Sequence, residues 1–218
     1  MVVSLCTTTF ATYVGTTNFY TAGQFKILQR KLECAFYVMA SDEDEGPIIT
    51  MSIDPKFSNV RDCVKQHQRL ILHMERIENL FSMILFVQTF GSVINLCFSG
   101  FQIVLGDSET TLLRLFFSVD FIIASSVNLF LYAWPCQEII EESQEIATGA
   151  YGALWYCLPY TEEGRLCRQS MMIVIMRARK PCVLTVGKFT PMSLQTFGSV
   201  FNSALSYFTV LRQMNEEA

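Results

Sequence analysis

Residues 189–211 read FTPMSLQTFGSVFNSALSYFTVL and contain no charged residue. An α-helix rises about 1.5 Å per residue, so this stretch forms a helix of roughly 34 Å. That length is enough to cross a bilayer core of about 30 Å. Thr190 followed by Pro191 is typical of a helix N-cap and first helical position. We therefore predict a membrane-spanning helix that begins at this Thr-Pro pair.

One side of this predicted helix is mostly polar, and the other side is apolar. A spacing of three or four residues puts side chains on one face of a helix. The mostly polar set is Ser193, Thr196, Ser199, Asn202 or Ser203, Ser206, Val210 and Gln213, and the apolar set is Leu194, Phe197, Phe201, Leu205, Phe208 and Leu211. A hydroxyl-rich side of a membrane helix is directed either at water or at another helix. The second alternative stays open because membrane helices use small residues for close packing.

Composition favours a membrane protein over a soluble one. Of the 218 residues 51% are hydrophobic and 17% are charged, and the apolar residues are concentrated in long uncharged runs. The net charge of −4 and the lack of a basic stripe give no indication of nucleic-acid binding. The eight cysteines form no CxxC pair, so we interpret them as reduced thiols without a disulfide framework or zinc site.

Three more apolar runs predict membrane spans. Residues 1–25 are uncharged but rich in threonine, so a soluble helix or strand is the alternative there, and no signal peptide is evident. Residues 79–106 are uncharged, and the run from Thr111 to Cys136 carries the carboxylate of Asp120. The predicted fold is thus an all-α membrane protein with four transmembrane helices and long cytoplasmic helical extensions.

The charged intervals divide the chain into segments. The acidic residues 42–45 predict a solvated loop, and an amphipathic helix from Lys56 continues into the next span. Thr161 precedes two glutamates and predicts the start of a further helix that ends before Pro181. The predicted segments are 1–33, a transmembrane helix with cytoplasmic extension; 34–78, a cytoplasmic acidic loop and amphipathic helix; 79–106, a transmembrane helix; 107–150, a transmembrane helix with cytoplasmic extension; 151–188, a cytoplasmic segment and helix; and 189–214, a transmembrane helix.

Basic residues predict the orientation. Fourteen of the 16 Lys and Arg residues lie in 26–78 and 138–188. Cytoplasmic loops carry the excess of basic residues, so both intervals are predicted to be cytoplasmic and both chain ends extracellular. An exported N-terminus without a signal peptide is what we expect when an odd number of spans precedes the chain.

The sequence carries no pattern of catalytic or metal-binding residues. It has no nucleophile elbow, no phosphate-binding loop and no pair of carboxylates or histidines on one helix face. His67 and His73 lie about 240° apart around a helix, so they do not share a metal. We predict no enzyme, no metal and no cofactor.

Several short stretches, taken in order, resemble the C-terminal half of an insect odorant receptor. They are 63–68 (CVKQHQ), 80–82 (LFS), 97–102 (CFSGFQ), Glu142-Ser143, Trp155-Tyr156, Lys180-Pro181, 184–189 (LTVGKF) and 206–211 (SYFTVL). The resemblance covers nearly the whole chain and corresponds to the last four spans of that seven-span family, with the first three spans absent.

This resemblance implies a subunit of an odorant-gated, non-selective cation channel in the plasma membrane of olfactory neuron dendrites. It implies assembly with the family's co-receptor as a hetero-oligomer, expected to be a tetramer, with volatile odorants as ligands and an intracellular anchor between subunits. It implies that 151–188 belongs to the anchor and that 189–214 lines the pore. Motif position then gives Ser206, Val210, Gln213 and Met214 as pore-lining residues, and Ser199 and Asn202 join them from the same polar face. The family's odorant pocket lies in the outer half of the membrane, so the expected odorant-binding residues come from the outer ends of the first and third spans: Phe10, Tyr13, Phe116, Phe117 and Asp120.

Two other interpretations stay open. The chain is alternatively a truncated, non-conducting receptor product or a four-span membrane scaffold. The aromatic residues assigned to the odorant pocket are alternatively packing residues.

Overall fold

The computed structural model describes residues 2–36, 57–104 and 111–216, with side chains for 7–36, 59–103, 112–210 and 213. The predicted acidic loop at 42–45 and the turn at 107–110 lie outside the described residues. The described chain is mostly helical. Its helices are α1 Val2–Glu33, α2 Phe57–Val104, α3 Thr111–Gly152, α4 Glu162–Ala178 and α5 Leu194–Glu216, with a 3-10 turn at Trp155–Cys157 and short strands β1 Thr185–Val186 and β2 Thr190–Pro191.

Two of these helices have the length and apolar composition needed to cross a membrane. Within the described residues they are Asn59–Ile103, in α2, and Leu112–Cys157, in α3 and the turn after it. At about 1.5 Å per residue each is far longer than a bilayer core of about 30 Å. In α2 the Lys, Arg, Asp and Glu residues all lie between 57 and 78, and the helix is uncharged from residue 79 onward.

The start of α5 differs from the sequence prediction. Thr190 and Pro191 form β2 instead of an N-cap and first helical turn. The helix begins at Leu194, and the Ser193 hydroxyl accepts the Thr196 backbone N–H at 3.2 Å, the bond expected of a helix N-cap. The Thr-Pro prediction is wrong because β2 pairs antiparallel with β1, Thr185 opposite Pro191, and an edge strand tolerates a proline.

The start of α4 agrees with the sequence prediction. The Thr161 hydroxyl accepts the Gly164 backbone N–H at 3.2 Å, and Glu162 and Glu163 occupy the first helical turn. Negative side chains in that position interact favourably with the helix dipole. The helix ends at Ala178, before Pro181.

The chain folds as two compact units, each with its own apolar core. The first unit comprises Met1–Asn18, Arg76–Gln137 and Val183–Ala218, and the second comprises Phe19–Glu75 and Glu138–Cys182. In the first unit the buried side chains include Val14, Leu85, Leu129, Tyr132, Leu184 and Met192; in the second they include Phe25, Leu28, Leu32, Ile139, Ile146 and Met171.

Candidate functional site

Helix α5 has one packed side and one exposed side, as its sequence pattern predicts. Phe197, Phe201 and Phe208 are half-buried, and the Phe197 ring packs edge-on against Phe130 of α3 at 6.0 Å between centroids. Two members of the predicted apolar set are exposed instead: Leu194 at 37% and Leu205 at 52%. The predicted pore residues Ser199, Asn202, Ser206, Val210 and Gln213 are all exposed, and the side chain of Met214 lies outside the described residues.

The hydroxyl groups on the exposed side of α5 donate to carbonyls of their own helix. Ser199 donates to the Gln195 carbonyl at 3.0 Å, and Ser206 donates to the Asn202 carbonyl at 2.9 Å. Ser203 makes the same bond to the Ser199 carbonyl at 2.9 Å. Because these hydrogens already have partners, the face is compatible with either water or an apolar neighbour. Pore lining by this face therefore stays a prediction.

A tight hairpin joins β1 to β2 immediately before α5. Gly187 and Lys188 both have positive φ angles, 61° and 64°. The Phe189 N–H donates to the Val186 carbonyl at 3.1 Å, which closes a turn with two left-handed central residues, as in type I′. Left-handed backbone is unfavourable for a residue with a Cβ, so the surroundings must hold Lys188 in place.

Helix α2 supplies those surroundings through Ser82. The Ser82 carbonyl accepts the Gly187 N–H, and the Ser82 hydroxyl accepts the Lys188 N–H, both at 3.0 Å. The Thr185 hydroxyl donates to the Glu78 carboxylate at 2.8 Å, one helical turn before Ser82. The Lys188 ammonium donates to the Asn79 side-chain oxygen at 3.3 Å. We call this set of contacts the α2–hairpin junction, and it fixes the chain that leads into α5.

Sequence reasoning missed this junction, although a signal was present. Thr185 and Val186 are β-branched and precede Gly187, a combination typical of a strand that enters a turn. The partners Glu78 and Ser82 lie about a hundred residues earlier and give no such local signal. Only their separation of four residues, which puts both on one face of α2, is visible in the sequence.

Two of the predicted odorant-binding residues lie in an aromatic cluster. The Phe10 ring lies 5.8 Å from Phe81 of α2 and 6.3 Å from Tyr132 of α3, centroid to centroid. The Tyr13 ring lies 6.1 Å from the same Phe81 ring. Tyr132 is buried and donates its hydroxyl to the Thr7 carbonyl at 3.3 Å, whereas Tyr13 is 61% exposed.

The other three predicted odorant-binding residues lie on an exposed part of α3. Phe116 and Phe117 contact each other edge to face at 6.1 Å, and both are exposed, as is Asp120. The five predicted residues thus include two separate ring pairs among the described residues. Phe10 and Tyr13 both contact Phe81, and Phe116 contacts Phe117. The described helices leave the Asp120 side chain exposed.

In the second unit, His67 lies in the wall of a cavity of about 390 Å³ formed with α4. His67 is 5% exposed, whereas His73 is exposed on the same helix. Burial, with a smaller effect from the nearby positive charge of Arg177, lowers the pKa of His67 to about 4. Burial also raises the pKa of the Cys167 and Cys182 thiols, which disfavours their reactive thiolate forms.

The fold defined by these helices matches solved olfactory receptor structures. The insect olfactory receptor OR5 from Machilis hrabei superposes with a TM-score of 0.71 at 18% identity, covering 90% of this chain and 45% of that one. The structure of the same receptor in complex with eugenol gives 0.67 at 17% identity, with the same coverage. At these identities the likeness establishes the fold.

Sequence comparison gives the family. The model of the family described as 7tm Odorant receptor matches residues 1–205. Odorant receptor 10 of Aedes albopictus is 26% identical over 205 residues, which is 94% of this chain and 50% of that receptor. Odorant receptor 13a of Drosophila melanogaster is 27% identical over 225 aligned positions, covering 97% of this chain and 50% of that receptor.

The chain belongs to the odorant receptor family, a family of receptors and not of enzymes. This confirms the resemblance drawn from its short motifs. The chain spans about half the length of these curated relatives.

Proposed function

We propose that this chain is the pore-bearing portion of an odorant-gated, non-selective cation channel subunit that detects volatile odorants. The observation that carries the proposal is the two-sided α5. Its Phe197 ring packs against α3, its Phe208 ring lies beside Gly100 of α2, and its uncharged polar side is exposed. Ser199, Asn202, Ser206, Val210, Gln213 and Met214 would line the water path. A hydrophobic constriction at Val210 and Met214 would close it by excluding water.

In this proposal α1, α2, α3 and α5 each cross the membrane, as the last four spans of a seven-span receptor. The uncharged stretches 2–25 in α1 and 194–211 in α5 support two of these spans. The other two, in α2 and α3, have stronger support from their hydropathy. The basic intervals 26–78 and 138–188 would be cytoplasmic, where their helices extend as an anchor, and the C-terminus would be extracellular. The location would be the plasma membrane of an olfactory neuron dendrite.

The proposed assembly is a tetramer with the family's co-receptor. The polar face of α5 supports an assembly, because a single helix cannot enclose a pore. Several copies of α5 arranged around an axis can enclose one. The proposed odorant site combines Phe10 and Tyr13 with Phe116, Phe117 and Asp120. The close ring contacts at Phe81 and the exposed rings on α3 both supply aromatic surface that suits small apolar odorants.

Substituted-cysteine accessibility tests the pore face. Single cysteines at Ser199, Asn202 and Ser206 in the full-length receptor, co-expressed with the co-receptor, should react with small charged thiol reagents and change the odorant current. Thiolate is the reactive form and needs water to stabilise its charge. Cysteines at Phe197 and Phe201 are the matched controls, because both side chains are half-buried, and they should not react.

Native cysteines require a background measurement, and the unsubstituted receptor provides it. Reaction without helical periodicity, or equal reaction at Phe197 and Ser199, would contradict a pore on this face. The polar stripe would then be a helix-packing surface.

A further inference from the structure

A cavity of about 160 Å³ lies behind α5, on the side opposite the proposed pore face. Its walls come from α2, α3 and α5, within the first unit. Leu96 and Ile103 of α2, Ile122 of α3, and Phe201, Ala204 and Phe208 of α5 line it. The cavity shares no lining residue with the proposed odorant-binding set.

The chemistry of the walls restricts what the cavity holds. Its lining side chains are all apolar, so they offer neither a donor nor an acceptor to a polar ligand or to water. Cavities of about 150 Å³ lined by Leu, Ile and Phe stay dry and bind benzene or xenon. The cavity behind α5 has that volume and that lining but is open on one side, and it fits one small uncharged ring or an alkyl chain of similar volume.

The cavity also has a structural origin and an entrance. Gly100 allows the Phe208 ring to lie close to the α2 backbone, since a Cβ at Gly100 would be 3.3 Å from the Phe208 Cδ2 atom. On another side Leu205 belongs to the wall and is 52% exposed, so the cavity opens to the helix surface. An apolar molecule dissolved in hydrocarbon can enter there without passing through water.

We infer that this cavity is a binding site for a small, uncharged, apolar molecule, about the size of a monocyclic hydrocarbon. A ligand there contacts the back of α5 directly, at Phe201, Ala204 and Phe208. The consequence for the channel rests on the proposed function. The ligand shifts the position of the pore helix and thereby modulates the channel from a site separate from the odorant pocket.

Photolabelling tests the binding directly. The full-length receptor in lipid nanodiscs is irradiated with a small aryl diazirine, and mass spectrometry locates the adducts. We expect adducts on residues 96–103 and 201–208, reduced about tenfold by excess toluene. The substitution Ala204→Leu fills the cavity and should reduce them about tenfold as well, because it removes the space in which apolar surface is buried.

Ala124→Leu is the matched control, since Ala124 is exposed on α3 and does not line the cavity. It should leave the labelling of both segments unchanged. Labelling spread evenly over exposed apolar helix surfaces, or insensitive to toluene, would overturn the proposal. So would labelling displaced only by long-chain lipid, which would make the cavity a lipid contact.

If Ala204→Leu fails to reach the membrane, toluene competition on the unaltered receptor decides the question alone. The labelling readout does not depend on current. The two proposals can therefore fail separately. Labelling can contradict the cavity site while the cysteine experiment supports the pore, and labelling can support the cavity site while the cysteine experiment contradicts the pore.

Discussion

The substitution Ser82→Ala should destabilise the receptor through the α2–hairpin junction. Ser82 is 2% exposed, and its hydroxyl accepts the Lys188 backbone N–H at 3.0 Å. Alanine removes that acceptor, while the contact between the Ser82 carbonyl and Gly187 and the Thr185–Glu78 bond at 2.8 Å both remain. The loss is therefore the bond from the part-buried Lys188 N–H and the 3.3 Å contact between the Ser82 and Thr185 hydroxyls, while the Thr185 hydroxyl keeps its bond to Glu78.

The size of the destabilisation follows from the cost of leaving the Lys188 N–H without its acceptor. That cost is about 1–3 kcal/mol for a buried group, and the part-buried Lys188 N–H belongs near the lower end, about 1–2 kcal/mol. For a protein of this size about 1 kcal/mol lowers the unfolding midpoint by roughly 2–4 °C. We expect Ser82→Ala to lower the midpoint by about 2–8 °C.

The assay is thermal unfolding of the detergent-solubilised receptor, followed by size-exclusion chromatography of the fraction that stays monodisperse. Ser126→Ala is the matched control, because the Ser126 hydroxyl donates only to the Ile122 carbonyl of its own helix, at 2.7 Å. Its effect should stay within about 0.5 kcal/mol. Equal midpoints for the Ser82 and Ser126 variants would refute the idea that the hairpin depends on the Ser82 hydroxyl.

Three further predictions concern pH, ligand sensitivity and topology. Because the pKa of His67 is about 4 in the folded protein and about 6.5 when unfolded, only the unfolded chain binds the proton between those values. Stability should therefore fall as pH is lowered from about 6.5 to 4, by at most about 1.4 kcal/mol per pH unit. His67→Gln should flatten this part of a thermal-unfolding profile, and an unchanged slope would exclude His67 as its source. Asp120→Asn in the full-length receptor should shift the odorant dose–response curve with normal surface expression, and identical curves would remove Asp120 from the odorant site. A glycosylation sequon inserted within 107–110 should acquire glycan, whereas one beside Glu43 should not, and the reverse pattern would invert the proposed topology.

Features set by neighbouring residues could be predicted from the sequence. The start of α4 at Thr161 was predictable because the cap and its partner Gly164 are three residues apart. The two sides of α5 were predictable because their spacing alone assigns each residue to a face. The same local reasoning placed the start of α5 at Thr190, and there it failed.

The failure has a physical reason that applies to the site as a whole. Whether residues 190 and 191 form helix or strand depends on β1 and on the junction with Glu78 and Ser82, which are distant in sequence. Likewise the sequence assigns His67 to a helix, but its burial depends on packing with α4. Contacts between elements decide these features, and single-sequence patterns do not contain them.

The hydroxyl bonds along α5 also have a mechanical consequence. Ser199, Ser203, Ser206 and Thr209 each donate to a carbonyl three or four residues earlier, which also serves the backbone ladder of the helix. Such sharing weakens the backbone bonds on one side and allows a helix to bend there. Helix α5 is therefore more compliant toward its polar side than an all-apolar helix of the same length. A small displacement of one end can bend α5 without disrupting the helix.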